Sequence, residues 1–92
     1  LALFDFSQYL LTDMDSKNRY NTALIALGKH IRSLRESAGY SQEDFARSAG
    51  LARSYYGAVE RGEINLTVLK LLGIDTVLNV SICELFPKSL TP

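Results

Sequence analysis

The sequence is poor in the residues that build disulfides, metal sites and catalytic centres. Its 92 residues include one cysteine, Cys83, one histidine, His30, and no tryptophan. A single cysteine cannot pair within the chain, and two separated ligands cannot hold a metal ion that needs three or four. An enzyme needs titratable groups clustered in a cleft, which these counts do not supply. We therefore expect a reducing compartment, no metal, no other cofactor and no catalytic activity.

An excess of charge of one sign and a long apolar run are missing as well. The 10 basic residues balance the 10 acidic ones, so bulk electrostatics favour no class of partner. No run of about 18 apolar residues is present to span a bilayer. The apolar start lacks the positively charged leader of a signal peptide. These absences predict a cytoplasmic protein without a membrane partner.

The length and composition favour one folded domain with an N-terminal arm. A chain with 47% hydrophobic residues suits a single compact core. Residues 1–20 are too rich in apolar side chains for a solvated tail, so we predict an arm that docks on another surface. Residues 21–92 are predicted to form the domain. Because no length remains for a separate effector domain, no small-molecule ligand is expected.

The first helix is predicted from the spacing of its apolar residues. Steps of three and four residues place one apolar stripe along a helix over 21–38. The stripe consists of Leu24, Leu27, Ile31 and Leu34. Gly39 ends this helix, because glycine tolerates the left-handed backbone that follows a helix end. His30 lies on the same helix, where we expect a solvated surface residue.

Four shorter helices are predicted to follow. Ser41 caps the second helix, which runs to Ser48, and Asp44 stands where a capping box has its acid. Gly50 permits the tight turn at the end of this helix. The remaining helices are predicted at 52–61, about 67–78 and about 81–86. No segment alternates as a strand would, so the prediction is an all-α bundle of about five helices.

The second and third predicted helices, joined by the tight turn, have the spacing of a helix-turn-helix, whose second helix lies in the major groove of DNA. Particular residues strengthen this interpretation: Ser41-Gln42-Glu43-Asp44-Phe45-Ala46, Ala49-Gly50-Leu51, Arg53-Ser54-Tyr55-Tyr56, Val59-Glu60-Arg61-Gly62 and Asn65. Together they resemble the Xre/Cro/lambda-repressor family of bacterial and phage regulators over about residues 27–86. The resemblance implies a lambda-repressor-like domain that binds double-stranded DNA and regulates transcription.

A helical wheel divides the third helix into two faces. Ala52, Tyr56 and Val59 are predicted to point into the core. The opposite face carries Arg53, Ser54, Gly57, Ala58 and Arg61, of which the first four are predicted to contact bases. Arg53 is the main candidate, because an arginine near the N-terminus of this helix can bond O6 and N7 of guanine. Ser54 would add a hydrogen bond, Ala58 would contact a thymine methyl, and Gly57 would allow close approach.

Contacts to the DNA backbone are predicted around this helix. The candidates are Gln42, Arg47, Tyr55, Arg61 and Asn65. The alternative for Asn65 is a purely structural role as a turn or cap residue. The family resemblance supports Gln42, whose counterpart contacts the backbone. It also implies an ion pair between Arg35 and Glu60 that orients the third helix.

Some positions depart from the family pattern. Ala52 stands where a capping serine or threonine is frequent, and Leu66 replaces a frequent proline. Gly73 and Asp75 fall inside the fourth helix, where better helix formers and a small apolar residue are usual. We therefore expect either a kink in this helix or an outward-facing Asp75 at an interface.

The last two predicted helices carry more apolar surface than a small monomer needs to bury. The residues predicted to form a homodimer interface are Leu69, Leu72, Val80, Ile82, Leu85 and Phe86. In the alternative arrangement, these residues close the core. A two-fold dimer would place two third helices about 34 Å apart, which predicts a roughly palindromic operator.

One alternative function stays open at this point. The same fold can serve as a protein-interaction module, such as an adaptor or an antitoxin-like subunit, with weak or no DNA binding. The zero net charge and the small residues Gly57 and Ala58 favour this alternative. Arg53 and Arg61 on one face favour DNA.

Overall fold

The computed structural model describes residues 16–87, with side chains from Tyr20 onward. The α-helices are α1 (Ser16–Ser37), α2 (Gln42–Ser48), α3 (Arg53–Glu60) and α4 (Val68–Leu78), followed by a 3-10 helix over Ile82–Leu85. Within this described range no strand forms, so the all-α prediction is confirmed. No helix in the same range is long and apolar enough to cross a bilayer.

The first helix begins earlier than its apolar stripe predicts. Residues 16–20, which the sequence analysis placed in the N-terminal arm, form the first turns of α1. The rest of the predicted arm, residues 1–15, lies outside the described residues. The last element is shorter than predicted, because a single 3-10 turn replaces the helix expected at about 81–86.

Short polar side chains set where α2 and α4 begin. The Ser41 hydroxyl accepts a hydrogen bond from the Asp44 amide at 3.0 Å, and the Thr67 hydroxyl accepts one from the Lys70 amide at 3.3 Å. Each bond satisfies an amide that the first helical turn leaves without a partner. Ala52, at the same position before α3, makes no side-chain cap. It is exposed rather than in the core as predicted, because it precedes the first turn in extended backbone.

The core lies where α1, α2, α3 and α4 meet. Its buried side chains are Leu27, Ile31, Phe45, Ala46, Tyr56, Val59, Leu71, Ile74 and Leu85. Phe45 is central, with its ring centroid 5.5 Å from that of Tyr40 and 4.9 Å from that of Tyr56. Aromatic contacts of this kind add to the stabilisation from burial, so this cluster fixes α2 against α3.

Two glycines bring α1 into direct contact with the C-terminal end of α3. A Cβ on Gly28 would lie 2.5 Å from the carbonyl oxygen of Val59 and 2.6 Å from that of Glu60. A Cβ on Gly62 would lie 2.6 Å from the Cα of Ile25, and Gly62 also has a left-handed φ of 74°. Side chains at these positions would force the two helices apart, so the glycines determine how α3 is seated.

The second half of the chain corrects two expectations, at Leu85 and His30. Leu85 is fully buried within the chain and belongs to the core rather than to an interface. His30 is partly buried, and its Nε2 atom lies 2.9 Å from the carbonyl oxygen of Glu84, so it is not simply solvated. The helix α4 continues through Gly73 and Asp75. A Cβ on Gly73 would lie 3.7 Å from the Ala49 carbonyl oxygen, so glycine allows α4 to pass close to the α2–α3 turn.

Candidate nucleic-acid interface

An ion pair buried between α1 and α3 holds the C-terminal end of α3. The Nε atom of Arg35 donates to Glu60 Oε2 at 2.7 Å, and its Nη2 atom donates to Oε1 at 3.3 Å. The two side chains are 8% and 3% exposed. Arg35 also donates to the carbonyl oxygen of Tyr40 at 2.7 Å. The structure thus brings together the two residues that the family resemblance paired.

Gln42 joins this pair from the first position of α2. Its Nε2 atom donates to Glu60 Oε1 at 2.7 Å. Burial alone would raise the pKa of Glu60, but the hydrogen bonds from Arg35 and Gln42 outweigh it and hold that pKa below its usual value. The link was missed by sequence reasoning, because nothing in the spacing of positions 42 and 60 predicts their contact.

The Tyr56 hydroxyl lies beneath this network. It is the only buried side-chain polar atom in the described part of the chain for which no partner lies in hydrogen-bond geometry. Burial raises the pKa of Tyr56 strongly, and the interaction of its hydroxyl with the Glu60 carboxylate raises it further. Tyr56 therefore stays neutral at physiological pH and contributes its ring to the core.

The outer face of α3 is not as open as the helical wheel predicts. Arg53 and Ser54 are exposed, and Ala58 is half-buried. Gly57 is buried, which corrects the prediction that it lies open on the DNA-facing side. A Cβ on Gly57 would lie 3.2 Å from Arg61 Nη1 and 3.5 Å from Arg53 Nη1. The two guanidinium groups therefore cover the glycine from either end of the helix.

The two arginines differ in their partners. Arg61, the C-cap residue directly after α3, donates from Nε to Glu63 Oε2 at 3.0 Å and from Nη2 to Oε1 at 3.2 Å. Both side chains of this pair are 58% exposed. The hydrogen bond from Arg61 lowers the pKa of Glu63. Arg53 makes no ion pair with any carboxylate of the described residues, so its positive charge is available.

The other predicted backbone contacts have partners of their own. Arg47 pairs with Asp44 at 3.0 Å and with Glu43 at 3.6 Å on α2. Tyr55 is half-buried, and the Lys70 ammonium group lies 4.6 Å from its ring centroid. Lys70 was not singled out from the sequence. Asn65 is exposed and lines a cavity of about 480 Å³ next to the N-terminal half of α1.

The structure divides the residues predicted for a dimer interface. Leu69 and Leu72 on α4 are 79% and 43% exposed, and the neighbouring Val68 is exposed as well. Val80, Ile82 and Phe86 are half-buried against the core. With Leu85 buried, the apolar surface left for a partner is concentrated on α4. We refer to Val68, Leu69 and Leu72 as the α4 face.

Comparisons with known proteins bear on this geometry. Residues 31–85 match the sequence model of the helix-turn-helix (HTH_3) family. The control protein C.SmaI of Serratia marcescens is 42% identical over 65 residues, which cover 71% of this chain and 73% of that protein. The crystal structure of the restriction-modification controller protein C.AhdI from Aeromonas hydrophila is similar with a TM-score of 0.67 and 43% identity, covering 68% of this chain and 96% of that one.

A second similar structure contains DNA. The crystal structure of SinR, the master regulator for biofilm formation, in complex with DNA is similar with a TM-score of 0.62 and 35% identity. The similarity covers 64% of this chain and 95% of that one. The matched residues include the tight turn between α2 and α3 in the family model.

Proposed function

We propose that this chain, which belongs to the helix-turn-helix (HTH_3) family, binds double-stranded DNA sequence-specifically and regulates transcription. The observation that carries the proposal is the arrangement of α3. Its first residue, Arg53, is exposed and has no acidic partner in the described part of the chain, whereas its last residue, Glu60, is held by a buried network. Similarity to a regulator crystallised with DNA supports the same function.

In this proposal α3 enters the major groove with its N-terminal turn foremost. Arg53 would turn from its position over Gly57 to bond the O6 and N7 atoms of a guanine. Ser54, beside it and exposed, would add one hydrogen bond, and Ala58 would contact a thymine methyl. The network of Arg35, Gln42 and Glu60 would keep the angle of α3 fixed while these contacts form.

Backbone contacts would come from the two ends of the helix-turn-helix. A neutral amide has two protons on its nitrogen, so Gln42 can keep its bond to Glu60 and still donate to a phosphate oxygen. Arg61 would contact a phosphate after α3, with Arg47, Tyr55 and Asn65 as further candidates. These contacts position the protein, whereas Arg53 supplies most of the discrimination between bases.

The exposed α4 face supports a homodimer as the DNA-binding form. Large apolar side chains that stay exposed on a monomer often mark a protein contact. A two-fold contact would place two copies of α3 about 34 Å apart on one side of the duplex, so the operator would be a rough palindrome. A regulator of bacterial or phage DNA acts in the cytoplasm, which is the location we propose.

Selection of duplexes from a random library, followed by fluorescence anisotropy, tests the proposal. We expect the unmodified chain to prefer one sequence and to lose affinity steeply between about 50 and 200 mM salt, because DNA binding releases counterions. Arg53→Ala should reduce that preference by about 5- to 150-fold and retain salt-sensitive background binding. Arg32→Ala, which removes an exposed arginine of α1, is the matched control.

The opposite outcome would favour the protein-interaction module. If the unmodified chain binds no duplex at low salt, DNA binding is excluded as its function. A partner that contacts the α4 face would then show little dependence on salt, because burial of apolar surface is not screened by ions.

A further inference from the structure

The side of α3 that carries Arg53 and Arg61 holds two guanidinium groups over one glycine. Positions 53 and 61 are about two helical turns apart, yet a Cβ on Gly57 would contact Nη1 of both arginines at 3.5 and 3.2 Å. Glycine is among the least favourable residues in a helix interior. Here it leaves room for both arginine side chains to lie along the helix.

The positive charges of Arg53 and Arg61 lie close together, and only one acidic side chain of the described residues pairs with either of them. Two guanidinium groups close together repel each other unless an anion screens them. Within the described residues, the Glu63 carboxylate is the only acid paired with either arginine, and it accepts two hydrogen bonds from Arg61 at 3.0 and 3.2 Å. A phosphodiester group presents the same two-oxygen, singly charged target to a guanidinium fork.

We propose that Glu63 is an internal competitor for DNA phosphate at Arg61. This inference rests on the proposed function and adds to it a residue that limits binding to DNA of any sequence. In the free protein the two Glu63 carboxylate oxygens accept the hydrogen bonds that Arg61 would donate to two phosphate oxygens. On binding, a phosphate displaces it at little cost, since both side chains are 58% exposed and exposed ion pairs contribute little to stability.

The competitor acts on affinity rather than on base discrimination. Arg61 directly follows α3, at the end opposite the exposed N-terminal turn where Arg53 and Ser54 would reach bases. Neutralising Glu63 would therefore strengthen phosphate contact on matched and scrambled duplexes alike. The binding of this chain, whose formal charge is zero, is then limited by one acidic residue next to its DNA-facing side.

A double-mutant cycle tests the inference on the full chain. We expect Glu63→Gln to bind both matched and scrambled duplexes about 2- to 5-fold more tightly. The slope of log affinity against log salt should stay nearly unchanged, because Arg61 contacts the same phosphate in both proteins. In an Arg61→Ala background, Glu63→Gln should have almost no effect on DNA affinity, because there is no arginine at position 61 for the carboxylate and a phosphate to compete for.

The chain offers a matched control in Glu36, which pairs with Arg32 on α1 at 3.2 Å and is similarly exposed. Glu36→Gln changes the net charge by the same amount and should leave DNA affinity nearly unchanged. If both glutamine variants tighten binding equally, or if Glu63→Gln still acts without Arg61, general repulsion of DNA explains the effect and the competitor is excluded. Failure of the unmodified chain to bind any duplex would instead overturn the proposed function itself.

Discussion

The first residue of α2 is hydrogen-bonded to the last residue of α3: Gln42 Nε2 donates to Glu60 Oε1 at 2.7 Å. The same carboxylate accepts a hydrogen bond from Arg35 Nε of α1. One acidic group thus joins three helices, two of which form the helix-turn-helix. Removing one partner of such a buried network leaves the others without compensation, which makes Glu60 a sensitive position for both stability and the orientation of α3.

Acidification should weaken the fold through Glu60. Its pKa lies below the ordinary value of 4.5 in the folded state, so its contribution is fully present above about pH 4.5. That contribution is lost progressively as the pH falls from 4.5 through the folded-state pKa. Denaturant unfolding between about pH 7 and pH 3 should show this loss.

Glu60→Gln should flatten that part of the pH profile and lower stability at neutral pH, because the buried Arg35 loses its counter-ion. Glu36→Gln, which changes an exposed acid, serves as the comparison. A Glu60→Gln profile parallel to that of the unmodified chain would show that other carboxylates cause the acid sensitivity.

Tyr56→Phe should stabilise the protein or leave it unchanged, although it alters a fully buried core residue. The hydroxyl has no partner in hydrogen-bond geometry, although the Glu60 carboxylate lies near enough to raise its pKa, so its removal should cost little and keeps the ring that contacts Phe45. Relief of a fully unsatisfied group would add about 1–3 kcal/mol of unfolding free energy, and a weak contact between the hydroxyl and Glu60 would reduce that gain toward zero. Denaturant titration at neutral pH measures this value, and a loss above about 1 kcal/mol would reveal a bonded hydroxyl.

Alkaline pH provides a second measurement on the same residue. The folded-state pKa of Tyr56 is raised above its ordinary 10.0, so its contribution is present below pH 10 and is lost as the pH rises further. Tyr56→Phe should remove this alkaline loss of stability.

Two glycine-to-alanine substitutions should have opposite effects on stability. Gly57→Ala places a methyl group against the flexible ends of Arg53 and Arg61, which can move away. We expect a gain of up to about 1 kcal/mol from helix propensity, together with weaker DNA binding because the added methyl group limits the close approach of α3 to the bases. Gly28→Ala places a methyl group 2.5 Å from a backbone oxygen of α3 and should cost about 1–3 kcal/mol.

Unfolding and anisotropy measurements on both variants separate the two roles of glycine. If Gly57→Ala destabilised the chain as much as Gly28→Ala, the space over Gly57 would be a packing requirement. A stable Gly57→Ala variant with unchanged DNA affinity would show that binding does not require a glycine at this position for close approach.

Substitutions at Leu69 and Leu85 should affect different properties, self-association for Leu69 and folding stability for Leu85. Leu69→Glu changes a side chain that is 79% exposed on the α4 face, so we expect a folded monomer by sedimentation or light scattering. Leu85→Ala creates a cavity in the core and should cost about 2–5 kcal/mol of unfolding free energy. A Leu69→Glu variant that remains dimeric would move the interface away from the α4 face.

Local signals in the sequence predicted most of the fold. Ser41 predicted the start of α2 because a capping bond depends on neighbouring residues alone, and the apolar stripe with Leu27 and Ile31 predicted the buried side of α1. The start of α1 at Ser16 was missed because the apolar stripe used to locate the helix begins only at Leu24. Helix boundaries without a periodic signal or a cap cannot be located in this way.

Contacts between residues that are far apart in the sequence could not be predicted at the candidate site. A wheel places Gly57 on the outer face of α3, but it cannot show that two long side chains lie over that position. Apolar residue type likewise does not distinguish Leu85, which is buried, from Leu69, which is exposed. The contact between His30 and the Glu84 carbonyl group joins positions 54 residues apart, for which the sequence contains no signal.

The close approach of α1 to α3 at Gly28 and Gly62 has a consequence for how binding preference can change. Backbone touches backbone there, so α3 cannot rotate or slide without moving α1, and the two helices behave as one rigid unit. The exposed residues Arg53 and Ser54 lie at the opposite end of α3 from that contact and can be exchanged without disturbing it. New operator preferences are therefore accessible through substitutions at a few surface positions on an unaltered frame, which makes this domain a suitable scaffold for redesigned DNA recognition.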